Sequence, residues 1–307
     1  MIFEQRERKM RIGFIGLGIM GKPMAKNLLK AGYELLVTDL LYKNVEEVVA
    51  AGAESATQKE IGRICDVVMT MLPNSPHVQK VVMGEGGLID EMHEGQVFVD
   101  MSSINPIASR EIASALARKG VEMLDAPVSG GEPKAKDGTL SFMVGGKREI
   151  FDRYKSLLEA MGTSVVWCGE IGAGNTTKLA NQIIVALNIA AIAEAFTLAA
   201  KAGVNPEIVF EAIRGGLAGS TVMDAKVPMM LEGDFKPGFR IDLHIKDLCN
   251  AMDTGHEVGA PLLLTAEVLE MLEILHADGH GDEDHSGLVN YYAKISGADI
   301  RKNERCV

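Results

Sequence analysis

The sequence predicts an α/β domain on a mainly parallel, doubly wound sheet, followed by an all-helical domain. Three observations lead there. Short apolar, strand-like runs alternate with helical patterns over residues 10–171, as in a sheet whose crossover helices cover both faces. The first run enters its helix through a glycine-rich turn, "RIGFIGLGIMGKPMAKNLLKAG". After Gly174 the strands stop, and alanine, leucine and isoleucine dominate "KLANQIIVALNIAAIAEAFTLAAKAG", so the helical domain is expected over residues 172–307.

Composition limits what such a chain does. With 307 residues, 47% hydrophobic and 24% charged, it is long enough for two packed units. A formal net charge of −11 disfavours a surface that tracks nucleic acid or an anionic membrane. Cys65, Cys168, Cys249 and Cys306 are scattered, which suggests neither a disulfide framework nor a zinc ribbon and fits a reducing cytoplasm. Residues 1–9 read as a flexible, charged tail without the apolar core of a signal peptide. Met10 is a second candidate for the natural start.

In the first run, Ile12–Ile15 leads into Gly16, Gly18 and Gly21 in G-x-G-x-x-G spacing, and Met20, Met24, Leu28 and Leu29 then recur at helical steps up to Gly32. In this context Gly16 permits the turn, Gly18 lets a pyrophosphate approach the backbone, and Gly21 lets helix and strand pack; the phosphates meet the helix N-terminus. The turn Gly16, Leu17, Gly18, Ile19, Met20 and Gly21 is therefore the candidate dinucleotide cradle of a Rossmann-type domain, although a strand–turn–helix without a ligand shares the spacing. The next strand, "YELLVTD", ends in Asp39, eighteen residues after Gly21, where a carboxylate can accept from both adenosine ribose hydroxyls. Leu40 and Leu41 come next, with no arginine to hold a 2′-phosphate, so NAD is expected over NADP.

Further strands are read in "DVVMTMLPN", "QVFVDMSS", "VEMLDAPVSG", "LSFMVGG" and "SVVWCGE", with helices over Ser75–Val82 and Ile107–Lys119. Ligands of such sheets sit beyond the carboxyl ends of the strands. That rule gathers Met71, Leu72, Pro73 and Asn74, then Ser102–Ile104, then Pro127–Gly131 around one crevice.

The helix that opens the second domain carries Lys178 near its start and Glu194 as its only charge between Leu179 and Ala200. Being apolar nearly all round, it should be buried on several sides, between lobes or between subunits, which points to a homo-oligomer. Its asparagines, Gln182 and Glu194 argue against a membrane span. A positive charge in the first turns opposes the helix dipole. Burial and the helix N-terminus both disfavour the charged form, which suits a general acid that delivers a proton to a carbonyl oxygen. A lysine that snorkels to solvent is the other reading. Asn181 and Gln182, one turn on, can position the lysine or a substrate oxygen.

Four segments in order, "GFIGLGIMGKPMAKNLLKAG", "DAPVSGGEPKAKDGTLSFMVGG", "GEIGAGNTTKLANQ" and "FKPGFRIDLHIKDL", resemble the β-hydroxyacid dehydrogenase family, related to 6-phosphogluconate and 3-hydroxyisobutyrate dehydrogenases. The resemblance covers nearly the whole chain. It implies a 6-phosphogluconate dehydrogenase-like fold and a reversible reaction between a nicotinamide cofactor and a small hydroxyaldehyde acid. It implies Lys178 as general acid/base, Ser129, Gly130 and Gly131 at the substrate carboxylate, and Ser103 and Lys246 at the cofactor. The family motif has asparagine four residues after the lysine; here that position is Gln182, and the asparagine is Asn181. On residues alone, Lys246–Asp247 also reads as an exposed charged pair. His276, His280, Asp282, Glu283, Asp284 and His285 read as a solvated turn rather than a metal site, since "DGHGDEDH" lacks helical histidine spacing.

Overall fold

A computed structural model describes residues 10–301; the expected tail at 1–9 and Cys306 lie outside the described residues. The chain falls into two compact units that meet in sequence at Lys178/Leu179.

The first unit is built on strands β1 (Arg11–Ile15), β2 (Glu34–Thr38), β3 (Glu54–Ser55), β4 (Val67–Thr70), β5 (Val97–Asp100), β6 (Glu122–Asp125), β7 (Val128–Ser129), β8 (Leu140–Gly145) and β9 (Gly162–Gly169). They form one sheet in the order β3-β2-β1-β4-β5-β6-β8-β7, with β9 on the other side of β8. The ladders from β3 through β6 are all parallel. Every residue of β4 and β5 is buried, as expected of strands covered by helices on both faces, which read as continuous apolar runs rather than alternating ones. Two clusters divide the core: one holds Phe14, Val37 and Met69, the other Ile15, Val68 and Phe98. Consecutive residues of one strand thus point to opposite faces.

The sheet changes character at β8. Only ten residues separate β7 from β8, too few for a full crossover to a parallel neighbour, so β8 returns antiparallel to β6 and β7. The two short strands behave as one extended run along β8. At the break, where Pro127 has no N–H to give, its carbonyl still accepts from the Met143 N–H at 3.1 Å. The two-residue β3 carries no apolar run, and periodicity gives no sign of it.

The helix Ala173–Lys201 begins against this sheet. Asp125, at the end of β6, accepts from the N–H of Gly172 and of Asn175, each at 2.7 Å, the side-chain capping that orphan N–H groups at a helix start require. The Asn175 side chain donates to Ser109 Oγ at 3.1 Å and accepts from the Ile104 N–H at 3.0 Å. These bonds keep the first turns with the sheet, and the compact units divide after Lys178, four residues beyond Gly174, where the composition changes. A Cβ on Gly174 would lie 2.3 Å from the Asp125 carbonyl oxygen and 2.4 Å from that of Met143, so only glycine admits this approach.

In the second unit, Ala186, Ile189, Ala193 and Phe196 of the long helix share a core with Met230, Leu248, Leu272 and Leu288 from four later helices. The helix is long and apolar enough to cross a membrane, yet these residues are core. Its burial is less complete than its composition suggests: Ile184 and Leu198 are 60% and 71% exposed, and Ala191 and Ala195 lie on the surface with them.

The histidine- and acid-rich turn departs from the solvated turn expected of it, because Asp284 and His285 are buried. Asp284 accepts from Lys226 Nζ at 2.9 and 3.0 Å and from the N–H groups of Gly238, Phe239 and Ser286, each at 3.0 Å. Burial works against the charged carboxylate, but the charges of His285 and Lys226 and these bonds hold it down at about 2. His276 and Asp282 are exposed and His280 and Glu283 half-buried, and Asp282 pairs with Arg240 at 2.8 Å. Among the described residues no cluster of three or more metal-ligating groups occurs.

Asp125 ties stability to pH. Burial, first, and the neighbouring Asp100 carboxylate push its carboxyl from the ordinary 3.8 up to about 7, against the pull of the two N–H donors. The folded state then holds a proton that the unfolded state releases between about pH 4 and 7, and stability is lost as pH rises through that window, with a limiting slope of roughly 1.4 kcal/mol per pH unit. Denaturant midpoints measured at pH 5, 6, 7 and 8 should show the wild type losing more stability than Asp125→Asn on going from pH 5 to 7. Parallel profiles would remove Asp125 as the linked group.

Candidate active site

At the end of β1 the chain turns at Gly16, whose φ of 95° a residue with a side chain rarely adopts and whose Cβ would sit 2.4 Å from the Met71 carbonyl oxygen. A Cβ on Gly21 would be 1.9 Å from the Gly16 carbonyl oxygen, while one on Gly18 would meet nothing within 4 Å. Two of the three glycines therefore serve internal packing, and the third leaves the space that a phosphate group needs. The helix Gly21–Lys30 has no acidic residue in its first turn and no side-chain cap, so its positive dipole end remains available to an anion. The turn fits the phosphates of a dinucleotide. Leu17 is fully buried, Met20 is half-buried and Ile19 is 60% exposed.

Asp39 holds this turn in place. Its carboxylate accepts from the Leu17 N–H at 2.6 Å and the Leu41 N–H at 2.7 Å, with Asn44 Nδ2 at 3.4 Å. A carboxylate offers about four acceptor positions, so capacity is left for a ribose hydroxyl. Leu40 beside it is fully exposed.

The loops after β4 and β5 are bonded to each other. The Leu72 N–H donates to Ser102 Oγ at 2.8 Å, and the Asn105 N–H to Ser75 Oγ at 3.1 Å. Asp100 stands beneath them, accepting from Thr70 Oγ1 at 2.8 Å and the Ser102 N–H at 3.1 Å. Met71, Leu72 and Asn74 are half-buried and Pro73 is exposed; Ser103 is half-buried between the buried Ser102 and Ile104. Asn74 also contacts the His77 ring. The structure thus brings the Gly16–Gly21 turn, Asp39, the Met71–Asn74 loop and Ser103 to the carboxyl edge of the parallel strands.

Ser129, Gly130 and Gly131 lie beyond the same edge, because β7 continues β6. Gly130 and Gly131 have φ of 136° and 67°, so the chain turns through two conformations that favour glycine and enters the helix Gly131–Asp137. Successive N–H groups turned this way form a concavity suited to a carboxylate.

Lys178 is 6% exposed, one turn along the helix from Asn175 and so placed by the Asp125 clamp. Its helix face continues into the second unit with Gln182, four residues on. Gln182 is buried and Asn181 half-buried. Gln182 Nε2 donates to Asp247 Oδ2 at 2.7 Å, and its Oε1 accepts from Asn181 Nδ2 at 2.9 Å. Asp247 is 1% exposed and pairs with Lys246 at 2.9 Å, so Lys246–Asp247 is not an exposed charged pair. Within this unit Asn181, Gln182 and Lys246 are linked through Asp247.

Sequence reasoning missed Asp125 and Asn175, which place the lysine helix, and His244, whose Nε2 lies 3.1 Å from the Gln182 carbonyl oxygen. Asp125 opens the quoted segment "DAPVSGG" and offered a signal: an acid that ends a strand directly after the apolar Met123 and Leu124. His244 offered less, since a histidine on an amphipathic helix has no preferred meaning.

Comparison with known proteins agrees with this arrangement. Residues 11–169 match the NAD binding domain of 6-phosphogluconate dehydrogenase, and residues 172–292 match the NAD-binding domain of NADP-dependent 3-hydroxyisobutyrate dehydrogenase. The chain is 43% identical over 281 residues to the 2-hydroxy-3-oxopropionate reductase of Escherichia coli, covering 91% of this chain and 96% of that one. It is 34% identical over 291 residues to mouse mitochondrial 3-hydroxyisobutyrate dehydrogenase, covering 92% and 87%. Among solved structures, the 3-hydroxyisobutyrate dehydrogenase of Mycobacterium tuberculosis with L-serine superposes with a TM-score of 0.86 at 33% identity, covering 92% of this chain and 99% of that one. With such matches along both units, the chain belongs to the β-hydroxyacid dehydrogenase family, oxidoreductases that act on a CH–OH group with a nicotinamide dinucleotide.

Proposed function

We propose that the protein is a cytoplasmic reductase that converts tartronate semialdehyde (2-hydroxy-3-oxopropanoate) to D-glycerate, reversibly, with NADH preferred over NADPH. The observation that carries this reading is a buried lysine, Lys178, on a helix fixed by Asp125, in a chain 43% identical to a 2-hydroxy-3-oxopropionate reductase. When bound, the nicotinamide supplies or accepts the hydride of the CH–OH/C=O conversion. Lys178 gives a proton to the carbonyl oxygen during reduction and takes it back during oxidation. Ser129, Gly130 and Gly131 hold the substrate carboxylate, and Asn181 and Gln182 orient the lysine or the substrate oxygen, a positioning role that can dominate catalysis. The Gly16–Gly21 turn, Met71–Asn74, Ser103 and Lys246 hold the cofactor. Asp39 favours NAD because its charge repels a 2′-phosphate.

The second reading is 3-hydroxyisobutyrate dehydrogenase, supported by the relatives of that name at 33–35% identity. Residues at the carboxylate and the lysine cannot separate the two substrates, which differ at C2: hydroxyl in one, methyl in the other. A pocket that bonds the hydroxyl rejects the methyl analogue strongly, because its polar groups are left unpaired.

The same helix supports self-association. Ile184 and Leu198 lie seven residues before and after Ala191, on one exposed face with Ala191 and Ala195. An antiparallel pairing of two copies would set the large residue at each end of the seam against the other and let the backbones approach at the small ones. We propose that the protein is a homo-oligomer built in part on this seam.

Lys178→Ala should bind NADH nearly as the wild type does and lose turnover by about a hundredfold or more, since general acid catalysis contributes on that scale; near-normal turnover removes the lysine from the mechanism. With NADH, kcat/KM for tartronate semialdehyde should exceed that for methylmalonate semialdehyde by at least about a hundredfold, and NADPH should serve less well. A reversed substrate preference supports the second reading, a preference for NADPH overturns the role given to Asp39, and tight NADH binding without turnover of either aldehyde points to a non-catalytic dinucleotide sensor. Light scattering should show an oligomer that Leu198→Asp weakens, and a monomeric wild type would refute the seam.

A further inference from the structure

The second unit holds a buried histidine pair that the proposed chemistry does not use. His244, in the helix Ile241–Val258, is fully buried, and His285, in the short turn His285–Gly287, is 4% exposed. Their Nδ1 atoms are 2.9 Å apart, and their ring centroids 4.9 Å. Phe239 packs against both rings, at 5.6 Å from His244 and 5.3 Å from His285. On its other side, His244 Nε2 faces the carbonyl oxygen of Gln182 at 3.1 Å.

The acceptors decide where the hydrogens sit. A carbonyl oxygen only accepts, so His244 Nε2 carries a hydrogen. A neutral His244 then presents Nδ1 as a lone pair, and His285 Nδ1 donates to it. The carboxylates near the pair are both already answered. Asp284, beside His285 in sequence, is paired with Lys226. On the Gln182 side, the Asp247 carboxylate is already paired with Lys246 and with the Gln182 amide. Gln182 is thus held twice: by its side chain at Asp247 and by its backbone at His244.

We infer that His244 is a positioning residue for the active site, holding the helix turn at Gln182 by its carbonyl, and that His285 sets the tautomer of His244 that makes the bond. The inference rests on the proposed role of Gln182 beside Lys178. The carbonyl is one helical turn from the lysine, and a turn pinned there keeps the Gln182 amide and the lysine on one face. Loss of the bond lets this turn shift, and substrate binding suffers before proton transfer does.

Two substitutions separate positioning from filling space. A glutamine at 244 places an N–H near the position of His Nε2 and keeps the bond to Gln182. An asparagine reaches only as far as Nδ1, so it can accept from His285 but not donate to Gln182. His244→Asn should raise the KM for the aldehyde acid about tenfold, the scale of one lost hydrogen bond, with kcat within about threefold of wild type. It should also speed deuterium exchange in residues 179–190. His244→Gln should stay within about threefold of wild type in KM and leave exchange unchanged. Equal behaviour of the two variants, whether both normal or both impaired, overturns the inference. If the wild type reduces none of the aldehydes tested, the proposed function fails, but exchange still decides: faster exchange in the asparagine variant alone sustains the clamp, and unchanged exchange in both refutes it.

Discussion

The carboxylate of Asp125 determines where the long helix starts, and much of the active site depends on that point. It sits at the end of a buried strand, with Asp100 as its direct neighbour in the β5–β6 ladder, an arrangement that costs free energy unless donors compensate. The donors are N–H groups of the helix start, at Gly172 and Asn175. The carboxylate satisfies helix groups that would otherwise be orphaned, and the helix dipole favours the negative charge. Asn175 carries the connection further, to Ile104 and Ser109, so the loop after β5 and the first turns of the lysine helix share one hydrogen-bonded assembly.

Past Lys178 the same helix is held by different means. Its apolar face packs into the core of the second unit, but its early turns carry polar side chains that a core cannot leave unpaired. Gln182 is answered by Asp247, and its carbonyl by His244. Farther along, Glu194 accepts from the Tyr292 hydroxyl at 2.9 Å. A sequence that looks uniformly apolar is therefore punctuated by side-chain bonds where chemistry or register requires them.

The sheet and cofactor turn were largely legible because their signals are local. A strand, three glycines at fixed steps and a helix occupy one short stretch, and Asp39 ends the next strand. The reason for each glycine is less local: Gly16 is crowded by Met71, and Gly174 by Asp125 and Met143, neighbours set by topology rather than spacing. Composition changes after Gly174, yet the fold keeps the next turn with the sheet, because one buried acid outweighs the apolar character of the helix beyond it. Asp284 and His285 looked solvated since charge density in sequence says nothing of donors brought from Lys226 and Gly238. The histidine pair was illegible for the same reason, its members being separated by forty residues of intervening chain.

Local and distant supports divide the labour in a framework that serves several acids. The cofactor turn works mainly through backbone N–H groups, open space at Gly18 and a helix end, features that tolerate wide change in side chains. Relatives named for 2-hydroxy-3-oxopropionate, 2-(hydroxymethyl)glutarate and 3-hydroxyisobutyrate align with more than nine-tenths of this chain at 43%, 38% and 34% identity. Discrimination among small acids has to come from side chains that meet the part of the substrate that varies, and from the groups that hold those side chains still. In this chain Gln182 stands one turn from the lysine, fixed from behind by a carboxylate and an imidazole. Under the role proposed for Gln182, a change in either support shifts substrate preference and leaves the cofactor turn untouched.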